Sequence, residues 1–461
     1  MTIGLKCLTD KLNSSLGSAA SLSVSDAAAV GSAVASLTSN NLDSVTSLTS
    51  LPSASANQGR LICVADVCQY RYSNGFEWVN TFTTTTNTKN RCIWVWGSVS
   101  AITGGCYVSP FLTRTSPVVF DQAAGRTWCS ISVDSFIFTD GASAIKTDGT
   151  LWTWGQNCYG QLGNNSTTFR YSPVTTTGGG TTWCCNSTSA NINLAIKTDG
   201  TLWTWGINSY GQLGDGTTAN RSSPVTTTGG GNNWCTGSAG RFVSAGIKTN
   251  GTLWTWGRNI YGGLGDSTTT NRSSPGTTTG GFTNWCAVST KDGHSAALTS
   301  DGLLWTWGKN SDGQLADEAT ANRSSPFNAS FKSDSTLWCK VSTGGYTTIG
   351  IKVNGTLWMW GRNSYGQLGD GTTFNRSSPV TVAGGGTTWC LGVTAFDNSA
   401  AIKSDNTLWT WGKNGNGLLG DGTSSYRSSP GTTAGGGTTW SRVDLGFTNT
   451  LAIQNSGTIG F

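Results

Sequence analysis

Apolar and polar residues alternate in short runs along most of the chain, and one run returns again and again. "LWTWG" or a close variant sets its first tryptophan at Trp94, Trp152, Trp203, Trp254, Trp305, Trp358 and Trp409, at intervals of 58, 51, 51, 51, 53 and 51 residues. Side chains alternate across a strand, so Trp254 and Trp256 share one face while Leu253 and Thr255 share the other. The stretch "WCTGSAGRFVSAGIKTNGTLWTWG" from Trp234 reads as a strand, a short loop, a strand, a turn at Asn250 and Gly251, and a third strand, followed by the loop "RNIYGGLGDSTTTNRSSP". A small sheet cannot bury so broad an apolar face alone. Units are therefore expected to stack side by side, and sheets of about four strands at a period of ~40 to 50 residues indicate a propeller. The glycine after the second tryptophan is expected to permit a bulge or a close approach of the next blade.

Counting the two halves of the unit separately shows how the ring shuts. Trp-x-Trp-Gly occurs seven times, beginning with "RCIWVWG" at Arg91, and the half typified by "AIKTDGT" occurs seven times, at Ala144, Ala195, Gly246, Ala297, Gly350, Ala401 and Ala452. The N-terminal copy lacks its first half, and the C-terminal copy, "LAIQNSGTIGF", stops where its Trp-x-Trp-Gly would begin. The pattern predicts an all-β fold, a seven-bladed propeller over residues 91–461, closed by pairing N- and C-terminal strands in one blade so that no sheet edge stays open.

Residues 1–50 are dominated by Ser, Ala, Leu, Thr and Val with few charges and carry neither a heptad nor a core pattern. They are expected to stay mobile or to order against neighbours as an assembly arm. Residues 51–85 read as a small β module: an apolar run, a turn, "QYRYS", then Asn74-Gly75 and "FEWV". Cys63 and Cys68 either face each other across a hairpin with Ala65 and Asp66 at its tip or remain two reduced strand residues.

Composition agrees with short strands and tight turns: of 461 residues 64 are Gly and 22 Trp, and only 11% are charged, so long helices are not expected. The net charge of +5 is spread over fixed repeat positions without a basic stripe, so nucleic acid is not an expected partner. No run approaches the ~18 to 20 apolar residues of a membrane span, and Met1 to Ser25 lacks a basic start followed by an apolar block. Neither membrane insertion nor secretion is expected.

Thirteen cysteines are an odd number for a disulfide scaffold. Cys129, Cys184, Cys235, Cys286, Cys339 and Cys390 each follow a tryptophan, and the seventh equivalent is Ser441. Equivalent atoms of neighbouring blades lie beyond the ~4.4 to 6.8 Å Cα separation a disulfide needs, so these cysteines read as small buried hydrophobes. His294 is the one histidine, which leaves no ligand set for zinc.

Asp215, Asp266, Asp317, Asp370 and Asp421 recur six residues before Arg221, Arg272, Arg323, Arg376 and Arg427, and Arg170 stands at the same place in the copy before them. Catalysis needs groups in different environments, whereas these are copies of one environment, so they read as internal ion pairs. The "GDGTT" loops supply one carboxylate each, too few for calcium. No nucleophile elbow or phosphate-cradling loop is present, and the "GGG" runs at Gly178, Gly229, Gly384 and Gly435 read as connectors. No catalytic residue, metal site, cofactor or enzymatic activity is expected.

The copies disagree chiefly in the loop between their first two strands. All seven such loops should emerge on one face near the ring axis, and rigid scaffolds place binding residues on such loops. The candidate binding residues there are Phe136, Phe138, Asn191, Arg241, Phe242, Lys291, Asp292, His294, Tyr346, Phe396, Asp397 and Phe447, aromatic and polar groups of the kinds that anchor interfaces. Drift in solvent-exposed loops would produce the same variation. A second irregular stretch, Ser98 to Phe120, replaces the Gly-Gln-Leu-Gly-Asp loop in the N-terminal copy.

The repeated Trp-x-Trp-Gly with Gly-Gln-Leu-Gly-Asp resembles the repeat of the regulator of chromosome condensation family, in a tryptophan-rich bacterial and phage form, over about four fifths of the chain. That resemblance implies the propeller fold and leaves function open, since the founder is an exchange factor for a small GTPase and other members bind partners through propeller faces. Family repeats often carry a histidine between the first two strands, which here only His294 supplies. Residues 51–81 resemble a small module near the start of phage tail-fibre proteins, with Gly59, Asp66, Tyr72, Gly75 and Trp78 at the matching positions. This second resemblance implies a phage virion structural protein, a tail-fibre or appendage component located on the virion and assembled in the host cytoplasm. It would contact other virion proteins through residues 1–85 and a host-surface receptor or glycan through the propeller, with homo-oligomerisation open. The alternatives are a capsid or neck decoration protein and, in another class, a cellular exchange-factor-like signalling propeller.

Overall fold

The computed structural model describes residues 61–64, 69–73, 78–80, 91–100, 111–119, 127–133, 141–329, 337–434 and 436–455. Their strands form one three-stranded sheet and seven four-stranded sheets. The small sheet joins Leu61–Val64, Gln69–Ser73 and Trp78–Asn80, antiparallel, with Leu61 opposite Tyr72 and Ser73 opposite Trp78. The question of a Cys63–Cys68 bridge, like the arm over residues 1–50, lies outside the described residues.

Six blades are contiguous in sequence: blade 1 runs from Trp128 to Thr175, blade 2 from Trp183 to Thr226, blade 3 from Trp234 to Thr277, blade 4 from Trp285 to Asn328, blade 5 from Trp338 to Thr381 and blade 6 from Trp389 to Thr432. Blade 7 is composite. Its strands, in spatial order, are Trp440–Leu445, Asn449–Asn455, Arg91–Ser100 and Phe111–Val119, with Ala452 opposite Trp94. First strands of neighbouring blades touch all round the ring, Trp440–Leu445 against Trp128–Val133 included, so they line the axis and the ring is closed. The closure expected from the two half-repeats is thus the closure found.

Each interface buries one cluster built by the same rule. Leu194, Ile196 and Leu202 of blade 2 pack on Trp234 and Trp256 of blade 3, and Ala245, Ile247 and Leu253 of blade 3 pack on Trp285 and Trp307 of blade 4. The alternation within "LWTWG" produces this: one face of a blade offers aliphatic groups and the other offers indoles. Burying a tryptophan removes ~150 to 250 Å² from water, so these contacts dominate the cohesion of the ring. The second indole of a blade also donates to a loop carbonyl of the preceding blade, as Trp205 Nε1 does to Gln161 O and Trp256 Nε1 to Gln212 O, each at 2.9 Å. The glycine closing Trp-x-Trp-Gly does sit at a register shift: Gly257 has φ 107°, and a Cβ there would lie 2.2 Å from the Phe242 carbonyl oxygen.

The cysteines after the first tryptophan form no disulfide and are half-buried. Their thiols do more than fill space: Cys184 and Cys235 donate to the carbonyls of Ile196 and Ile247 at 3.3 Å, and Ser441 keeps the same bond to Ile453 at 3.2 Å. Burial pushes the Cys339 thiol up to about 11, which keeps it protonated. Cys158, by contrast, is disulfide-bonded. It stands in the loop after Trp-x-Trp-Gly, where other copies carry Ser, Ile or Gly, so the repeat logic did not bear on it.

Candidate loop-face site

The repeated loop after each third strand folds around a buried asparagine. Asn208 Oδ1 accepts the Leu213 amide at 2.9 Å, while its Nδ2 donates to Asp215 Oδ1 at 3.1 Å. The other oxygen of Asp215 meets Arg221 at 2.7 Å, and the same ion pair recurs at Asp266–Arg272, Asp317–Arg323, Asp370–Arg376 and Asp421–Arg427. Thr217 fills the remaining acceptor capacity of Asp215, so the carboxylate is spent on the loop itself. Among the described residues no group of three or more His, Cys, Asp or Glu side chains could hold a metal ion.

In an antiparallel blade, the loop joining strands one and two and the loop joining strands three and four share one face. The residue after Trp-x-Trp-Gly ties them together, because its amide donates to the first loop of its own blade: Arg258 to Phe242 O at 2.8 Å, Arg362 to Tyr346 O at 3.0 Å and Lys413 to Asp397 O at 2.8 Å. Its side chain therefore lies beside the variable loop. That position reads Gln156, Ile207, Arg258, Lys309, Arg362 and Lys413, so blades 3 to 6 each place a cation there.

These cations and the variable-loop aromatics form one arc. Arg258 lies over Tyr210 and Phe242, 4.9 and 4.6 Å from the ring centroids. Lys309 lies over Tyr261 at 5.6 Å and Tyr346 at 4.6 Å, Arg362 over Tyr346 at 5.2 Å, and Lys413 over Tyr365 at 4.9 Å and Phe447 at 5.6 Å. Edge-to-face contacts join Tyr210 to Phe242, Tyr346 to Phe396 and Phe396 to Phe447 at 5.5 to 5.8 Å. Arg241 pairs with Asp292 and Lys413 with Asp397, at 3.3 and 3.2 Å.

The predicted residues divide accordingly. Arg241, Phe242, Tyr346, Asp397 and Phe447 stand on the arc, half-buried. Phe396 belongs to it but is 8% exposed, because Tyr346 and Phe447 close over it from both sides. Asn191 is also buried: with Ala190 it makes a tight turn of positive φ, and its side-chain oxygen accepts from Gln161 Nε2 at 2.7 Å. His294 is not a loop residue at all. It begins the second strand of blade 4, is fully buried, and its Nε2 lies 3.2 Å from Thr348 Oγ1 of blade 5. Burial, with Lys309 adding to it, holds its pKa down to about 3. Asp292 is buried under Arg241, and desolvation raises its pKa despite that partner. Lys291 is half-buried and acts on the Asp444 carboxyl. Phe136 and Phe138 lie outside the described residues. Reading the copies only in the first loop missed Arg258, Lys309, Arg362 and Lys413, although the same comparison of copies marks that position as variable. In the irregular stretch Ser98 to Phe120, the two strands pair on past Gly97, with Ser100 opposite Phe111, so blade 7 carries a longer hairpin on the loop face.

A closed ring of seven four-stranded blades defines a seven-bladed β-propeller. The family pattern described as "Regulator of chromosome condensation (RCC1) repeat" matches residues 148–183, 199–247, 250–298, 301–351 and 354–395, and a second version of it matches residues 285–314 and 338–367. Together they cover half of the chain, which belongs to this family. Over 243 residues the chain is 30% identical to the Arabidopsis thaliana ultraviolet-B receptor UVR8, spanning 52% of this chain and 55% of that protein. Over 326 residues it is 28% identical to the human E3 ubiquitin-protein ligase HERC2, spanning 68% of this chain and 7% of that protein. The chain thus spans about half the length of the first relative and a small part of the second. The Prp20p structure from Saccharomyces cerevisiae superposes with a TM-score of 0.68 at 16% identity, over 81% of this chain and 93% of that one, a likeness of fold. These relatives are proteins of plant, human and yeast cells, which overturns the virion location expected from residues 51–81. Neither family pattern reaches residues 51–85.

Proposed function

We propose that this chain is a non-enzymatic binding propeller of the cellular exchange-factor-like class, which docks a protein partner on its loop face. The observation that carries the reading is the arc itself. Scaffold bonds recur blade after blade, whereas Arg241, Phe242, Tyr346 and Phe447 differ between copies and gather on one face together with the cations after Trp-x-Trp-Gly. Rigid aromatic and arginine anchors on a preformed surface are how an interface gains affinity at low ordering cost. Prp20p, which shares the fold, has binding properties toward Gsp1p and histones.

The test uses those two as probes. Binding of the full chain to purified Gsp1p and to histones is measured by calorimetry, beside a Phe242→Ala/Tyr346→Ala/Phe447→Ala variant whose fold is checked by its melting curve. Binding to either probe that the folded variant loses supports the reading. Binding to neither, or binding the variant keeps, overturns it.

A further inference from the structure

Five cations stand on the arc, Arg241, Arg258, Lys309, Arg362 and Lys413, and their pairing is uneven. Arg241 and Lys413 are neutralised by Asp292 and Asp397. Arg258, Lys309 and Arg362 have no carboxylate within ion-pair distance among the described residues, although five arginines of the outer strands are all paired at the same stage of the repeat. Their hydrogen-bonding capacity is equally unspent: Arg362 Nε reaches Ser364 Oγ at 3.3 Å, and the side chains of Arg258 and Lys309 donate to no described residue. Three neighbouring blades thus hold three half-buried cations seated over aromatic rings; the Asp292 carboxylate acts on Arg258 and Lys309, but from beyond ion-pair distance.

The way they are held selects the ligand. Tyr210, Phe242, Tyr261 and Tyr346 present ring faces to these cations, at centroid distances of 4.4 to 5.6 Å when Arg241 over Phe242 is included. Phe242 and Tyr346 each carry two cations, which compete with the base stacking that single-stranded nucleic acid demands of aromatic platforms. A guanidinium held over rings spends none of its N–H donors on an acid, and its fork matches the two oxygens of a carboxylate. Asp312, beside Tyr346 on the same face, would oppose a continuous line of phosphates or sulfates. A chain with spaced carboxylates meets the cations and passes that acid.

Resting on the partner-docking reading above, we propose that blades 3 to 5 receive an acidic segment of a protein partner, its carboxylates held by Arg258, Lys309 and Arg362. One cation per blade calls for carboxylates spaced along an extended segment instead of clustered at one point.

The probe is a fluorescein-labelled peptide of alternating glutamate and serine, its binding to the full chain read by anisotropy at low and at physiological salt. Arg258→Ala/Arg362→Ala is compared with Arg114→Ala/Arg170→Ala, which removes the same charge from outer strands, with melting curves to confirm both folds. The proposal expects the first pair to weaken binding about tenfold or more and the second less than about twofold. Equal losses in the two variants would mean that only net charge matters and would sink it. Tighter binding of heparin or of a single-stranded oligonucleotide of equal charge would also sink it, by assigning the arc to a dense polyanion. If the peptide fails while Gsp1p or histones still depend on the loop face, the acidic-segment inference falls and the docking function stands; failure of all the probes removes both.

Discussion

The Asp444 carboxylate accepts the amide of Val133 at 2.9 Å across the seam where blade 7 meets blade 1. At other seams a hydroxyl does this work: Ser132, Ser187, Ser238 and Ser289 accept the amides of Thr188, Ala239, Thr290 and Thr343 at 2.9 to 3.1 Å. The need is general, because the first strand of every blade is a sheet edge facing the axis and its axis-side amides have no ladder partner. Burial raises the Asp444 pKa, with Lys291 and the Val133 amide working against it.

Asp444→Ala should therefore lose about 1 to 3 kcal/mol of stability, while Asp444→Ser, which installs the group used at the other seams, should stay within about 1 kcal/mol of the parent. The folded pKa is raised, so the contribution from titration is complete below the ordinary carboxylate pKa and is lost as pH rises through the folded value. Relative to Asp444→Ser, the parent should gain stability on acidification. Denaturation midpoints at neutral pH and near pH 4 measure both effects; equal loss in the Ala and Ser variants would discard the clasp.

Ala316 occupies a glycine position. Its equivalents Gly163, Gly214, Gly265, Gly369 and Gly420 have φ between 63° and 69°, and a Cβ on any of them would lie 2.7 Å from the indole nitrogen of the next blade. Ala316 has φ 59° and is buried against that same side of blade 5, while Trp360 Nε1 keeps its bond to Gln314 O at 2.9 Å. An alanine there costs about 1 kcal/mol or more in left-handed backbone conformation alone. Ala316→Gly should raise the thermal midpoint, and a fall would show that blade 4 has repacked around the methyl group.

The ring was legible because its physics repeats. Leu253 and Trp254 must face opposite ways on any strand, and counting half-repeats at Arg91 and Ala452 fixed which strands close the circle. The site was less legible. Tyr346, Phe396 and Phe447 could be placed on one face from the loops that hold them, but burial inside a loop depends on neighbours two blades wide. A histidine one residue into a strand looks in sequence like a histidine at a loop tip, and His294 proved to be the former. Arg258 and Lys309 were hidden because they abut the most repetitive word in the chain. The location went astray for a different reason: about thirty residues of resemblance ahead of the propeller outweighed the propeller's own relatives.

The Asp–Arg pairs predict an acid limb in the stability profile. For Asp370, burial raises the pKa, but hydrogen bonds from Thr372 and Arg376 outweigh it and leave the carboxyl below 3.8; Asp215, Asp317 and Asp421 behave alike. With the folded pKa lowered, the stabilisation is full above the ordinary carboxylate range and disappears as pH falls through the folded value. Because each arginine is about a third exposed or more, screening keeps each pair at about 0.5 to 1 kcal/mol. Asp370→Asn should fold, since blade 1 already uses Asn164 there and Asn157 Nδ2 reaches it at 3.2 Å. It should lose about that much at pH 7 and converge with the parent in acid, as urea midpoints at the two pH values would show. Parallel profiles would remove the ion pair from the account.

His294 predicts a second limb, separated from the first by pH. The ring is fully buried between blades 4 and 5, and its pKa of about 3 means that the folded chain refuses a proton which the unfolded chain accepts near 6.5. Stability should therefore be unaffected by this residue above pH 7 and should fall as pH drops below 6.5, at a slope approaching roughly 1.4 kcal/mol per pH unit. Asn398 shows what can replace it, because it begins the second strand of blade 6 at the equivalent place and is buried there. His294→Asn should melt close to the parent at pH 8 and above it at pH 5, where the aspartates of the ion pairs are still charged. If the two chains keep a constant difference from pH 8 to pH 5, the imidazole must find a proton-stabilising contact in the folded ring, and the buried neutral histidine described here is wrong.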